Sequence, residues 1–423
     1  MRKISLTLFL VLVTVLSCSA KYRNMQSFET VWQTVNEKHY DSTFGGVDWK
    51  ALHYRYKPRI ASADDDLEFY KLTNQMLFEL NISHLLVAPR SDFKKYMPEL
   101  FAEGTIGVDV RWMDGDAVIT EVIPGSTADA ARLRTGYTIE QINDIAIQQI
   151  VSSDDFLLMP PFNSRNQRNN VSNYILGGIY GSPETVVKIT YRDEFDNIHE
   201  SAIKRESRGR GRIISPAMPP AIIEFESRRL EHNLGYIKFN HFAEPVDTKF
   251  IAALNSMRDT RGIIIDLRGN SGGYFSILDT IAKHLLLEKV LLYRYRFRNR
   301  TVDKVLTPVA EPYNNPVVVL IDEKSMSCSE LFAGSMQAVK RVIIVGDRSP
   351  GYLLGANWLK LPNGGSFMHT ILQPVPSDGI IIEDHGVIPD IQVSLDRDAL
   401  LDGRDSQLEA AEDYIKKRAY NPK

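Results

Sequence analysis

Ser327 lies in a serine-containing turn between a predicted buried strand and a predicted helix. The strand is the continuous apolar run Val317–Ile321, and the helical pattern starts within Ser325-Met-Ser-Cys-Ser329. A hydroxyl in such a turn can act as a nucleophile, because the N–H groups at a helix N-terminus stabilise developing negative charge. Ser327 and Glu330 also match the capping-box pattern, which is purely structural. These residues alone leave both interpretations open.

Ser271 is a second candidate nucleophile. It lies in Gly269-Asn-Ser-Gly-Gly273, which matches the G-x-S-x-G pattern of an esterase elbow and follows a predicted strand. In this alternative, the chain order Ser, Asp, His would be completed by one aspartate and one histidine, drawn from Asp347, Asp378, His369 and His385. No oxyanion segment of the HGGG type precedes Ser271, so the pentapeptide by itself is weak evidence.

The composition is that of an ordinary globular protein with more than one domain. The chain has 423 residues, of which 43% are hydrophobic and 24% charged. A formal net charge of −3 gives no reason to expect a nucleic-acid partner. The alternation of aromatic and basic residues over positions 293–300 predicts a half-buried strand rather than a surface for base stacking.

The N-terminus carries the pattern of an export signal. A basic Met1-Arg-Lys segment precedes an apolar stretch, residues 4–16, that is too short to span a bilayer. The stretch ends at Ser17-Cys18, which resembles a bacterial lipoprotein signal. We therefore predict a signal peptide over residues 1–18, a lipid anchor on Cys18 and a place in the bacterial cell envelope. An ordinary secretory signal cut nearby is the alternative.

Three regions with different patterning follow the signal. Residues 28–40 and 66–80 show helical spacing, so residues 22–98 form a predicted N-terminal helical domain. In this domain His84 lies where a helix gives way to a strand. Residues 101–205 are rich in predicted strands and turns, with a polar loop expected over residues 152–170. After a linker, residues 206–233, the chain alternates strands and helices over residues 234–423. The predicted fold class is α/β in a mixed α+β multidomain chain, and the last region is expected to hold a mostly parallel sheet.

The β-rich region resembles a PDZ domain of the kind found in processing proteases. The matching segments are Gly104-Thr-Ile-Gly107, Pro124-Gly-Ser-Thr-Ala128 and Asn143-Asp144. The resemblance implies that the loop formed by Gly104, Thr105, Ile106 and Gly107 captures a peptide C-terminus through backbone N–H groups, as PDZ domains do. Arg132 and Tyr137 depart from the residues usual in those proteases.

Three motifs in one order resemble the C-terminal processing peptidase and tricorn-core serine peptidase family. They are Asp266-Leu-Arg-Gly-Asn-Ser-Gly-Gly273, the segment from Asp322 to Glu330, and Glu383-Asp-His-Gly-Val-Ile-Pro-Asp390. The resemblance covers nearly all of the chain after the signal. It implies that Ser327 is the nucleophile and that the N–H groups of Gly272 and Cys328 form the oxyanion hole.

The general base differs between branches of that family. The processing branch uses a lysine, but Tyr352 stands at the corresponding position here. The tricorn-like branch uses a Ser-His pair and a glutamate, for which this chain offers Ser83, His84 and Glu383. His84 would take the proton of Ser327, and Glu383 would steady the imidazolium, directly or through Ser83. His385 is a competing base.

These patterns predict an exported serine endopeptidase that acts on polypeptides. No metal and no cofactor are expected, because the Glu383-Asp-His385 cluster lacks the spacing of a metal site. Two alternatives remain: a peptide-binding scaffold of the same fold with a decayed site, and an esterase that uses Ser271.

Overall fold

The N-terminal part of the chain is helical. A computed structural model describes the backbone of residues 2–152 and 164–420, and side chains over the same residues except 2–19, 95–96, 164–166 and 419–420. Helices α1 (Arg2–Lys38), α2 (Trp49–Ala61) and α3 (Asp66–Phe78) precede strand β1 (Leu86–Ala88). Their apolar faces enclose one core, which includes Phe28, Val31, Trp49, Tyr56, Phe69 and Met76.

A small antiparallel sheet follows two short helices, α4 (Phe93–Tyr96) and α5 (Pro98–Phe101). The elements of this region are β2 (Gly104–Thr105), β3 (Val108–Met113), β4 (Asp116–Val122), α6 (Thr127–Ala130), β5 (Thr138–Ile142), β6 (Ile145–Ala146), α7 (Ile147–Val151), α8 (Ser164–Ile179), β7 (Val186–Arg192), β8 (Ile198–Lys204) and β9 (Glu206–Ser207). The sheet has the order β3-β4-β5-β7-β8, β6 pairs with β5, and β2 pairs with β9.

Helix α8 corrects the loop that was predicted over residues 152–170. Residues 164–170 belong to the helix, and residues 153–163 lie outside the described part of the chain. The apolar positions that anchor α8 are Val171, Ile175, Leu176 and Ile179. They all follow the polar first turns of the helix, so the apolar period becomes visible only after the segment that was assigned to a loop.

The mostly parallel sheet predicted for the C-terminal region is present. Its elements are β10 (Phe225–Leu230), β11 (Leu234–Phe239), α9 (Val246–Ser256), β12 (Ile263–Asp266), α10 (Phe275–Leu285), β15 (Val317–Ile321), α11 (Cys328–Ala338), β16 (Ile343–Gly346) and β19 (Ile391–Gln392). The order is β10-β11-β12-β15-β16-β19, and every pair except β10–β11 is parallel. Strand β15 lies within this sheet, and all five of its residues are buried, as its apolar run predicts.

A second sheet joins the N-terminal and C-terminal parts. It consists of β1, β13 (Val290–Phe297), β14 (Arg300–Leu306), β17 (Gly355–Lys360) and β18 (Ser366–Pro376). Two helices, α12 (Arg397–Leu401) and α13 (Ser406–Tyr420), end the described chain. Strand β13 contains most of the aromatic and basic run that predicted a strand. Because β1 pairs with β18, Leu86 lies opposite Met368. This pairing carries the preceding residues, Ser83 and His84, to the C-terminal region.

Candidate active site

His84 and Ser327 lie within hydrogen-bond distance, although 243 positions separate them in the sequence. The distance between His84 Nε2 and Ser327 Oγ is 3.2 Å. His84 lies between α3 and β1, with a left-handed backbone (φ 57°) that turns its ring toward the nucleophile candidate. Ser327 lies directly before α11, at the carboxyl end of β15. The two side chains can therefore exchange a proton.

The far side of the His84 ring contacts a buried serine and a buried glutamate. Ser83 Oγ lies 2.7 Å from His84 Nδ1 and 2.9 Å from Glu383 Oε2. Glu383 also accepts the N–H groups of Ser83 at 2.8 Å and Leu353 at 2.8 Å. A continuous line of hydrogen bonds thus runs from the Ser327 hydroxyl through His84 and Ser83 to Glu383.

Burial acts on the protonation of two members of this line, His84 and Glu383. Burial lowers the pKa of His84 to about 3, so the ring is neutral and can accept a proton at neutral pH. Burial raises the pKa of Glu383 to about 8, and the nearby carboxylate of Glu330 adds to this increase. Glu383 therefore becomes a full negative charge only in mildly alkaline solution.

Ser327 is held in an unusual backbone conformation. Its φ of 56° and ψ of −115° lie outside the regions that residues with a side chain normally occupy. Such backbone outliers cost of order 1–3 kcal/mol and concentrate at active sites. Ser271, in the alternative elbow, has no positive φ. The sharp turn expected of a nucleophile is therefore at Ser327.

The hydroxyl of Ser327 differs from those of its serine neighbours. Ser325 donates to the Leu267 carbonyl at 2.7 Å, and Ser329 donates to Asn270 Oδ1 at 2.7 Å. Ser327 Oγ instead faces His84 and makes no capping bond to α11. Only one of the two capping-box hydrogen bonds is therefore present, the one in which Glu330 accepts the Ser327 N–H.

Glu330 connects the turn at Ser327 to the segment of residues 349–352 through hydrogen bonds. The carboxylate is fully buried and accepts from Ser327 N at 3.1 Å and Tyr352 N at 2.9 Å. It also accepts from Gly351 N at 2.7 Å and Ser349 Oγ at 2.6 Å. Burial raises the pKa of Glu330 to about 7 in spite of these four donors. The sequence pattern predicts only a capping role for Glu330, because its further partners lie about twenty residues away in the chain.

Cys328 is not a competing nucleophile. Its thiol is fully buried, and burial raises its pKa well above the usual value for cysteine. Thiols become nucleophilic as thiolates, which this environment disfavours. The backbone N–H of Cys328, not its side chain, is therefore the group that could serve the site.

Gly272 lies directly against Ser327. A Cβ at Gly272 would lie 2.7 Å from Ser327 Cβ and 3.0 Å from Cys328 N, so only glycine fits, and its φ is +97°. The Gly272 N–H donates to Asn270 Oδ1 at 2.9 Å. Both predicted oxyanion groups are thus beside Ser327, and the Gly272 N–H is held by Asn270 in this conformation.

Ser271 has a histidine partner that the sequence analysis missed. His241 Nδ1 lies 3.0 Å from Ser271 Oγ, whereas His385 Nδ1 lies 2.9 Å from the Glu383 carbonyl. His241 follows β11 and Ser271 follows β12, which are parallel neighbours. The carboxyl ends of parallel neighbours lie at one edge of a sheet, and this rule could have found the pair. Ser271 Oγ pairs with His241 and not with His369 or His385, so the predicted esterase order is not assembled in this form.

A cavity of about 750 Å³ opens onto Ser327 and His84. Its lining is mainly apolar and includes Phe78, Phe93, Phe101, Met218, Trp358 and Met368. Tyr352, at the position where the processing branch has lysine, also lines it and packs on His84 with ring centroids 4.5 Å apart. The cavity is large enough for several side chains of a ligand.

The remaining predicted site residues lie elsewhere. In the loop of residues 104–107, the Gly104 N–H donates to the Gly181 carbonyl and the Gly107 N–H to Thr105 Oγ1, while Ile106 is fully buried. Peptide capture by this loop stays a prediction. So does lipidation of Cys18, whose side chain lies outside those described. No group of three potential metal ligands occurs among the described residues, and no helix there is long and apolar enough to cross a bilayer.

Family models match two parts of the chain. Residues 233–393 match the model described as peptidase family S41, and residues 21–78 match the tricorn protease C1 domain. The α/β fold, the turn at Ser327 and these matches define a serine-type peptidase. The chain contains a peptidase family S41 domain and a tricorn protease C1 domain, and it is similar to carboxyl-terminal processing and tricorn proteases.

Two curated processing proteases align with this chain over most of their length. The carboxyl-terminal-processing protease of Picosynechococcus is 23% identical over 369 residues, which cover 85% of this chain and 80% of the relative. The carboxy-terminal processing protease CtpA of Bacillus subtilis is 22% identical over 392 residues, covering 92% and 77%. The similarity therefore extends well beyond the S41 match.

Solved structures share the fold. The photosystem II D1 C-terminal processing protease has a TM-score of 0.55 at 19% identity, covering 88% of this chain and 93% of that one. Mature CPAF has a TM-score of 0.60 at 14% identity, covering 95% and 97%. The tricorn protease has a TM-score of 0.55 at 16% identity, covering 95% of this chain and 37% of its own.

Proposed function

We propose that this chain is an endopeptidase in which Ser327 attacks the peptide bond and His84 is the general base. The observation that carries the proposal is the 3.2 Å approach of His84 Nε2 to Ser327 Oγ, on the same ring whose Nδ1 faces Ser83. In this proposal Ser83 relays the interaction with Glu383, so Tyr352 can replace the lysine without loss of a base.

The proton path follows from the hydrogen bonds. His84 carries its proton on Nδ1 and donates it to Ser83 Oγ, whose own proton is donated to Glu383 Oε2. Nε2 is then free to take the Ser327 proton while Oγ bonds to the substrate carbonyl carbon. The imidazolium gives that proton to the leaving amine as the C–N bond breaks. Water, activated by the same Nε2, hydrolyses the acyl-enzyme and restores Ser327.

The N–H groups of Cys328 and Gly272 would bind the oxyanion. Cys328 is the first residue of α11, where the helix dipole favours negative charge. Gly272 N–H would have to turn away from Asn270 Oδ1 when substrate enters. Glycine tolerates such a backbone change better than other residues.

Polypeptide is the proposed substrate, and further parts of the chain are proposed to serve it. The region of residues 101–205 would act as a PDZ domain, with Gly104, Thr105, Ile106 and Gly107 as its carboxylate-binding loop. It would lie between a helical domain (22–98) and, after the linker (206–233), the catalytic domain (234–423). The sequence of residues 1–18 supports export to the bacterial envelope with a lipid on Cys18, and loss of incorporated labelled fatty acid in Cys18→Ser would test this.

Labelling with a fluorophosphonate tests the nucleophile. We expect labelling of the wild-type protein and of Ser271→Ala, and none of Ser327→Ala. Labelling that is lost in Ser271→Ala and kept in Ser327→Ala would support the esterase alternative. A folded wild-type protein that is neither labelled nor able to cleave unfolded casein would support the decayed scaffold.

A further inference from the structure

Three asparagines of helix α8 line the same cavity as Ser327. They are Asn169, Asn170 and Asn173, with 2%, 9% and 6% of their surface exposed. They come from the β-rich region, whereas Ser327 comes from the C-terminal region. Helix α8 therefore completes the cavity. The hydrogen bonds that join Ser327, His84, Ser83 and Glu383 give this helix no role in the reaction.

Two of these carboxamides are poorly satisfied. Asn169 Nδ2 donates to Met326 Sδ at 3.2 Å, and a thioether is a weak acceptor. Asn173 Nδ2 donates to Asn169 Oδ1 at 3.2 Å, while Asn173 Oδ1 is buried and has no hydrogen-bond partner in the described part of the chain. An unpaired buried acceptor costs about 1–3 kcal/mol. A ligand that pairs with these groups would recover part of that cost.

A nearby asparagine shows what a structural carboxamide looks like in this protein. Asn240 Oδ1 accepts from Glu224 N at 2.9 Å, and its Nδ2 donates to the Ile222 carbonyl at 2.9 Å. Both ends of that side chain are used by backbone groups. Asn169 and Asn173 lack this pattern.

The chemistry of the cavity identifies the ligand class. Among the described residues that line it there is no Asp, Glu, Lys or Arg. In a small adjoining cavity that Asn169 and Asn173 also line, Glu99 and Lys324 are paired with each other. The large cavity therefore offers a charged ligand no counter-ion among its described lining residues, whereas apolar side chains and neutral amide groups fit. A carboxamide offers one acceptor and one donor, which matches the N–H and C=O groups of an extended peptide backbone.

The subsite is adjacent to the nucleophile. Met326, which contacts Asn169, directly precedes Ser327, and Met326 also lines the cavity. A peptide main chain that replaced the thioether contact would therefore lie within a few residues of the bond that Ser327 attacks. Contacts to the backbone would hold a substrate without selecting its side chains.

We propose that Asn169 and Asn173 form a subsite that binds the main chain of the polypeptide substrate, Asn173 Oδ1 accepting a peptide N–H and Asn169 Nδ2 donating to a peptide C=O. The subsite deepens the proposed peptidase function and rests on it for the identity of the ligand. Asn170 borders the same subsite.

Binding to a Ser327→Ala protein tests the subsite without turnover. The probe is a fluorescein-labelled segment of β-casein, followed by fluorescence anisotropy. In this background we expect Asn173→Leu to weaken binding about tenfold, in keeping with the loss of one hydrogen bond. Gln167→Ala, which removes an exposed carboxamide from the same helix, should leave binding unchanged. Asn173→Leu also removes the hydrogen bond from Asn173 Nδ2 to Asn169 Oδ1. The melting temperature of each variant is therefore measured, and weaker binding supports the subsite only in protein that is folded at the assay temperature.

Backbone N-methylation of the probe tests the main-chain contact. Methylating the residues one at a time should reveal a position where binding to the Ser327→Ala protein weakens, and Asn173→Leu should abolish that difference. Equal losses with and without Asn173, equal binding by Asn173→Leu and Gln167→Ala, or no binding of the segment would each overturn the subsite. If the segment binds in an Asn173-dependent way but wild-type protein neither cleaves it nor reacts with a fluorophosphonate, the peptidase proposal fails and the subsite stands.

Discussion

The backbone N–H and the hydroxyl of Ser83 both donate to the carboxylate of Glu383, at 2.8 and 2.9 Å, across 300 positions of sequence. In a catalytic triad the histidine bonds directly to the acid, whereas here the Ser83 hydroxyl lies between His84 and Glu383. In the proposed mechanism, Glu383 acts on His84 through the Ser83 hydroxyl.

Removing that hydroxyl should slow the chemical step. In Ser83→Ala, His84 Nδ1 loses its acceptor while the Ser83 N–H bond to Glu383 is kept. We expect kcat to fall about 100-fold, or ~2.7 kcal/mol of transition-state stabilisation, with KM little changed. Steady-state cleavage of a casein peptide measures this, with exposed Ser91→Ala as the control. An equal fall in both variants would remove Ser83 from the mechanism.

Activity should increase with pH through about 8. The cause is that burial raises the pKa of Glu383 to about 8, so that the acceptor is fully ionised only above that value. The pKa of His84 is lowered to about 3 by burial, which places its protonation below the assay range. A pH profile of kcat/KM should show a rising limb near pH 8 that is absent in Glu383→Gln. Glu330, whose pKa burial raises to about 7, should add a second limb near pH 7 in both proteins. A limb near pH 8 that persists in Glu383→Gln would contradict the assignment.

The close approach of Gly272 to Ser327 can be separated from its backbone conformation. Gly272→Ala places a methyl group 2.7 Å from Ser327 Cβ, whereas Gly364, with a similar φ of +91°, has no atom within 4 Å of an added Cβ. Both alanines should cost about 1–2 kcal/mol for left-handed backbone. Only Gly272→Ala should also abolish fluorophosphonate labelling. Urea unfolding and labelling measure the two effects.

Glu330 should matter for both stability and activity. In Glu330→Gln, an NH₂ group must face at least one of the four donors that now point at the carboxylate. One unpaired buried donor costs about 1–3 kcal/mol in the free energy of unfolding, and the Ser327 turn would relax. We expect kcat to fall about tenfold or more in protein that is still folded. Exposed Glu288→Gln should change neither quantity, and unchanged kcat in Glu330→Gln would limit Glu330 to a helix cap.

Local sequence patterns predicted most helices and strands but not the tertiary contacts between them. The strand Val317–Ile321 and the helix after it follow from burial and periodicity within about twenty residues, and the parallel sheet follows from their repetition. Helix α2 was not predicted, because its apolar positions are interrupted by polar residues and Pro58. The contact of His84 with Ser327 depends on β1 pairing with β18, a long-range register that periodicity cannot specify. Only the family resemblance pointed to those residues together.

The same long-range pairing determines when the site can exist. Its groups are contributed by residues 83–84, 327 and 383, and contacts so distant in sequence form late because loop closure must precede them. During synthesis, Ser327 is made before Glu383. In the proposed mechanism a growing chain therefore lacks part of the proton path, and we expect it not to digest itself or its neighbours until its own folding is finished.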